Sequence, residues 1–219
     1  NCRPVSPSHS PATGNATNAV IRAVVKTGAY EYGIESVGIE DGYLGLIEDR
    51  MRVISPLEVS GILTVGGTIL GASNKANPAK YSIWTDGEWV TRDVTDEVVD
   101  NYHKWDLDAL LVIGGDGTMA GAQNLIQRGL RVVGVPKTID NDLEGTEVTF
   151  GHDTAVATAT DALDKVHTTA SSHHRVMVVE LMGRYAGWLT LRAGLASGAD
   201  VVLIPEIPFD LDAVAAKCL

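Results

Sequence analysis

The chain has 219 residues, enough for one large domain or two modest ones with a sizeable core. Its 17 Lys and Arg against 28 Asp and Glu give a formal net charge of -11, so nucleic acid would meet net repulsion and is not an expected partner. No aliphatic stretch approaches the roughly 20 residues of a membrane-spanning helix, so no membrane partner is expected either.

The two cysteines, Cys2 and Cys218, form neither a disulfide framework nor a metal-ligand spacing. With no charged-then-apolar leader at the start, a reducing, cytoplasmic setting is expected. Glycine is abundant: 23 residues, about half again the usual share of roughly 7%, which asks for loops with special backbone.

The opening residues 1–17 are polar and proline-broken where an α/β domain should begin with a buried strand, so this segment reads as aberrant or divergent. Val20, Ala23, Val24 and Thr27 recur at helical spacing after a Thr17-Asn18 start, and Ser36 to Ile39 reads as a strand. Tyr81 to Arg92 predicts a β-hairpin closed at Asp86-Gly87, a surface excursion. Thr95 can cap a helix through Trp105 whose first turn carries Asp96 and Glu97. Then follow strand 109–113, a helix near 119–127, strand 131–135, a helix near 153–169, strand 176–181, a helix near 185–196 and strand 201–204. Phe209 to Leu219 begins one more helix. Short β-branched runs alternating with helical patterns define an α/β chain with a mainly parallel sheet of five parallel-type strands, flanked by helices.

The chemistry gathers in the loops. Strand 109–113 runs into Gly114-Gly115-Asp116-Gly117-Thr118 and then a helix, where glycines permit close backbone approach and the helix N-terminus offers amides to an anion. An aspartate there would repel phosphate unless Mg²⁺ bridges the two, which points to a metal-nucleotide; a tight turn capped by Asp116 is the structural alternative. The next strand ends in Pro136-Lys137-Thr138-Ile139-Asp140-Asn141-Asp142, where ligands gather in open parallel sheets. Asp140 is the candidate base for a hydroxyl attacking phosphorus, and Asp142 either holds metal through water or caps a turn. A further glycine loop runs from Gly66 to Lys75. Arg175 and Arg184 are candidate phosphate clamps, although each alone could be a surface ion pair. The six histidines lack zinc spacing, and no G-x-S-x-G, Walker lysine loop or G-x-G-x-x-G occurs.

Taken together and in order, GGTILG, GGDGT, PKTIDND, SSHHR, MGRYAGW and GADVVLIPE resemble the 6-phosphofructokinase family over roughly residues 18–210. GGDGT alone also occurs in NAD kinases and diacylglycerol-type lipid kinases; PKTIDND and MGRYAGW are far more specific. The resemblance implies a Rossmann-like phosphofructokinase fold, with a donor domain at 18–150 and the start of a truncated fructose 6-phosphate domain at 151–219. It implies phosphorylation of the sugar's 1-hydroxyl in glycolysis, with Asp140 as proton acceptor beside Thr138 and Ile139. Asp116 would carry Mg²⁺, Gly115, Gly117 and Thr118 would hold the donor's phosphates, and Met182, Gly183, Arg184 and Glu206 would line the sugar site. Arg184 would also stabilise the transferring phosphoryl. Arg175 matches an arginine that reaches into a neighbouring subunit, so a homodimer or homotetramer is expected.

Gly117 goes with ATP as donor in this family, because an aspartate at that place crowds the α-phosphate; Lys137 matches the lysine of pyrophosphate users. ATP is the expected donor and pyrophosphate the alternative. Asn74 stands where many members have an arginine touching ATP, a role Lys75 can partly fill. The family's first loop, GGDAPGMN or close to it, is matched here only by Asn18 and the helix beyond, so the first strand and part of the phosphate cradle are expected to be missing. A catalytically dead fragment that only binds nucleotide is therefore the competing expectation from another class.

Overall fold

The computed structural model describes residues 2–5 and 14–218, and the chain divides into two compact units, Asn1–Lys137 and Thr138–Leu219. In the first unit, strands β1 (Cys2–Val5), β2 (Ser36–Ile39), β3 (Met51–Ile54), β6 (Ala109–Gly114) and β7 (Val132–Pro136) form one sheet in the order β3-β2-β1-β6-β7. The pairings β1 with β2, β1 with β6 and β6 with β7 are parallel, and only the edge pair β2 with β3 is antiparallel. The expected mainly parallel α/β sheet is present.

Three strand expectations are corrected. The sheet does have its first strand: Cys2–Val5 pairs on both sides at the centre, with Val5 opposite both Ile39 and Val112. Backbone pairing with two neighbours overrides the local polarity and the proline that argued against a strand here. The rest of the divergent opening, residues 6–13, lies outside the described residues. Met51–Ile54 is an unexpected strand of four residues, too short to show an alternating pattern. Conversely, 176–181 and 201–204 are not strands. β-branched composition supplies no ladder without a neighbouring strand, and Val178 is left 92% exposed.

Sheet alternation divides the core of this unit. Leu110 and Val112 of β6 pack with Tyr43 and Leu46 of α2 (Tyr43–Ile47), Val98 and Tyr102 of α3 (Thr95–Lys104), and Ala122 and Leu125 of α4 (Asp116–Gln127). Ile113, on the opposite face, packs with Val20, Ile21 and Val25 of α1 (Gly14–Tyr32) and with Leu70. The start of α3 differs from expectation: Thr95 does not cap it. Asp93 does the tying, accepting from the Thr95 amide at 2.9 Å and from its hydroxyl. The hairpin forms as read, β4 (Tyr81–Thr85) against β5 (Glu88–Arg92), with Asp86 and Gly87 at φ 53° and 88° as a tight turn of this twist demands.

The second unit is built on α5 (His152–His173) and α6 (Trp188–Ser197), followed by α7 (Leu211–Cys218). Ala155 and Ala159 of α5 allow close approach of Leu189 and Ala193 of α6, and Ile139 completes this small core, with Leu181 packed against it. Among the described residues no helix is long and apolar enough to cross a membrane.

Candidate active site

In the first unit, the phosphate-type turn follows directly from β6. A Cβ at Gly114 would lie 2.4 Å from Thr118 Oγ1, so only glycine lets the strand fold this closely onto α4. The Gly115 carbonyl accepts from the amides of Thr118 and Met119, each at 3.0 Å. The amides before them have no acceptor within the helix and sit at the positive end of its dipole. Asp116 and Gly117 are exposed on this first turn, while Thr118 is buried beneath it. A Cβ at Gly117 would meet nothing within 4 Å.

Lys137, at the end of β7, donates its amide to the Gly114 carbonyl at 2.9 Å, which sets the two strand ends side by side, and its residue is buried. Among the described residues no group of three His, Cys, Asp or Glu side chains gathers for a metal ion. A single exposed carboxylate at a helix N-terminus nevertheless suits Mg²⁺, which takes one or two protein carboxylates and fills its octahedron with water and phosphate oxygens.

Two braces of this turn were not anticipated from sequence. The buried Tyr43 hydroxyl donates to the Thr118 carbonyl at 2.7 Å, and burial pushes the phenol well above its ordinary range. Asp41, two residues earlier, donates its amide to the Leu70 carbonyl at 2.8 Å, while Arg50 holds its carboxylate at 2.9 Å. The start of α2 thus ties the glycine loop 66–71 to the first turn of α4. Asn18 holds the same loop from another side: fully buried, it donates to the Val65 carbonyl at 2.9 Å and accepts from the Ile69 amide at 3.0 Å. Further along, Asn74 and Lys75 are exposed, and the Lys75 amide meets Ser73 Oγ at 3.3 Å. The Asp41-Gly42 pair is the one local mark of the α2 brace, and Tyr43 lies 75 residues from its partner.

In the second unit, Thr138, Ile139, Asp140 and Asp142 stand on the segment entering α5. Ile139 is buried, Asp140 half-buried and Asp142 exposed. The Thr138 hydroxyl accepts from the Asp140 amide at 3.2 Å. Met182, Gly183 and Arg184 form a turn before α6. Gly183 has φ 132°, and a Cβ there would lie 2.3 Å from the Ala186 carbonyl oxygen, so no other residue fits. Glu206 reaches this turn from 19 residues away, accepting from the Gly187 amide at 2.7 Å. Arg184 is exposed with its guanidinium 4.8 Å from the Tyr185 ring centroid, a cation-π contact that holds the charge without neutralising it. Arg175 is exposed just beyond α5, its amide bonded to the Ala170 carbonyl at 3.0 Å. The structure therefore brings Lys137 beside the turn that holds Gly115 to Thr118, and ties Glu206 to Gly187, three residues beyond Arg184.

A mainly parallel sheet with a glycine turn leading from a strand end into a helix defines an α/β protein of the open-sheet kind. The phosphofructokinase family pattern matches residues 8–219, and the chain belongs to the phosphofructokinase family. It is 51% identical over 201 residues to an ATP-dependent 6-phosphofructokinase 2 of Clostridium perfringens, covering 91% of this chain and 55% of that protein. It is 52% identical over 198 residues to an ATP-dependent 6-phosphofructokinase of Spirochaeta thermophila, covering 89% and 53%. The chain thus spans a little over half the length of these curated relatives. Among solved structures, Pichia pastoris phosphofructokinase in the T-state superposes with a TM-score of 0.83 at 27% identity, over 99% of this chain and 22% of that one. A pyrophosphate-dependent enzyme from Marinobacter aquaeolei, at 19% identity and a TM-score of 0.77 over 99% of this chain and 56% of its own, shares the fold.

Proposed function

We propose that the protein from which this chain comes transfers the terminal phosphoryl of Mg-ATP to the 1-hydroxyl of fructose 6-phosphate in the cytoplasm. The observation that carries this reading is the roughly half identity to relatives named ATP-dependent 6-phosphofructokinases, running over about nine-tenths of this chain. The local geometry supports it. The open first turn of α4 accepts the donor's phosphates at Gly115, Gly117 and Thr118, with Lys137 at the terminal phosphate and Asn74 and Lys75 toward the nucleotide. Asp116 would hold Mg²⁺, which would supply neutralisation of charge on the donor's phosphate oxygens.

Asp140 accepts the proton of the 1-hydroxyl as the new O–P bond forms and the bond to the leaving ADP breaks. Arg184, whose guanidinium lies 4.8 Å from the Tyr185 ring centroid, stabilises the transferring group. Thr138, Ile139, Met182, Gly183 and Glu206 shape the sugar side. Arg175 serves a neighbouring copy, which makes the working form a homodimer or homotetramer.

A coupled assay of a full-length version with fructose 6-phosphate, run with ATP and with pyrophosphate, tests the reading. Turnover with ATP is expected to exceed that with pyrophosphate. Preference for pyrophosphate would instead make Lys137 the better guide to the donor, and phosphorylation of NAD without turnover of the sugar would overturn the proposal.

A further inference from the structure

The segment from Thr138 to His152 closes on itself through side chains to which the proposed chemistry gives no part. Thr149, only 2% exposed, donates its hydroxyl to the Thr138 carbonyl at 2.7 Å and its amide to Asn141 Oδ1 at 2.8 Å. Asn141 in turn donates Nδ2 to the Glu147 carbonyl at 3.3 Å. Its backbone has φ 54°, in the left-handed region where asparagine is among the few side chains tolerated. His152, fully buried, places Nδ1 2.7 Å from the Ile139 carbonyl oxygen. A carbonyl can only accept, so Nδ1 carries the proton and His152 acts as a donor. The chain is thus gripped at 138, 139 and 141, on both sides of Asp140.

Proton removal depends on the base standing within hydrogen-bond reach of the hydroxyl, and a displacement of about 1 Å can cost about a hundredfold in rate. We infer that Thr149 is a positioning residue for Asp140: its hydroxyl and amide fix the backbone at Thr138 and Asn141, and His152 supports Ile139 between them. The inference rests on the reading of Asp140 as the base. Among the described residues, Thr149 makes no bond to the turn that would hold the donor's phosphates, which has its own brace in Tyr43, nor to the 65–69 loop, which Asn18 holds. Loss of Thr149 should therefore register in kcat rather than in affinity for the donor.

The test uses a full-length version and compares T149V, which keeps the shape and loses the hydroxyl, with T149S, which keeps the hydroxyl. N141G permits the left-handed backbone but removes the side-chain bonds, and D140N is the reference. Unfolding midpoints are recorded for every variant. T149V and N141G are expected to lose about tenfold to a hundredfold in kcat, while KM for ATP stays within about threefold and T149S remains close to wild type. Should T149V fail to fold, N141G carries the same comparison. Wild-type kcat in folded T149V or N141G, with D140N inactive, overturns the positioning role. An active D140N, or a wild-type protein that leaves the sugar untouched, overturns the reading of the base and the inference with it.

Discussion

At Asp140, exchange of one carboxylate oxygen for an amide separates proton transfer from shape. Asparagine fills the same volume and keeps the Asp140 amide bond to Thr138 Oγ1, yet it cannot accept the sugar's proton. Asp140→Asn in a full-length version should therefore lower kcat by about 10²- to 10⁴-fold, with nucleotide affinity by calorimetry nearly unchanged. An undiminished rate would remove the assignment of Asp140 as base. Gly117 allows an equally local test. No protein atom lies within 4 Å of where its Cβ would stand, and the residue is exposed, so Gly117→Asp should fold normally. Any effect then belongs to the ligand. On the proposed reading the added carboxylate would face the donor's phosphates, so kcat/KM for ATP should fall far more than kcat/KM for pyrophosphate. Equal losses with both donors would count against the steric and electrostatic account.

Asn18 shows how one side chain joins elements. From the first turns of α1 it holds the 65–69 loop through one donated and one accepted bond, at 0% exposure. Asn18→Ala leaves the Val65 carbonyl and the Ile69 amide, both in part-buried bonds, to find other partners, a loss of at most about 1–3 kcal/mol each. Urea unfolding should show a lower midpoint, and KM for ATP should rise as the loop loosens; an unmoved midpoint would mean the loop is held elsewhere. The same element shows what the sequence makes legible. Asn18 was readable because it begins a clear 3.6-residue period, whereas its partners at 65 and 69 follow only from the fold. The hairpin was readable because Asp86-Gly87 is a local turn signal. GGDGT and PKTIDND were readable because each lies at a strand end. β1 was not, since its pairing is settled by two distant neighbours. Residues 176–181 and 201–204 misled for the opposite reason: their composition is strand-like, but a ladder needs a partner that composition does not report. Tyr43, Thr149 and His152 carry no motif, and their bracing appears only as hydrogen bonds in the folded chain.

Across the whole molecule, acidification sets two effects against each other. The formal charge of -11 shrinks as carboxylates take up protons, which relieves self-repulsion and favours the compact state. Against this stand carboxylates tied in the native fold. Asp49 is held below its ordinary range, chiefly by a hydrogen bond from Lys104 and then by one from Trp105 Nε1 at 2.6 Å, and these ties join the end of α2 to the end of α3. Asp93 is lowered by the Thr95 hydroxyl and amide at the start of α3. A carboxylate whose folded pKa lies below its unfolded value of about 3.9 contributes stability above that pH and loses it as pH falls through the folded value. Stability should thus hold or rise slightly from pH 7 to about 5 and then fall below about 4. Lys104 is 65% exposed, so salt should shrink the Asp49 contribution. Urea midpoints for wild type and Asp49→Asn, taken across this range at low and high salt, provide the check. The substitution should lower the midpoint at neutral pH and flatten the acid decline; parallel curves for the two proteins would show that Asp49 does not couple α2 to α3.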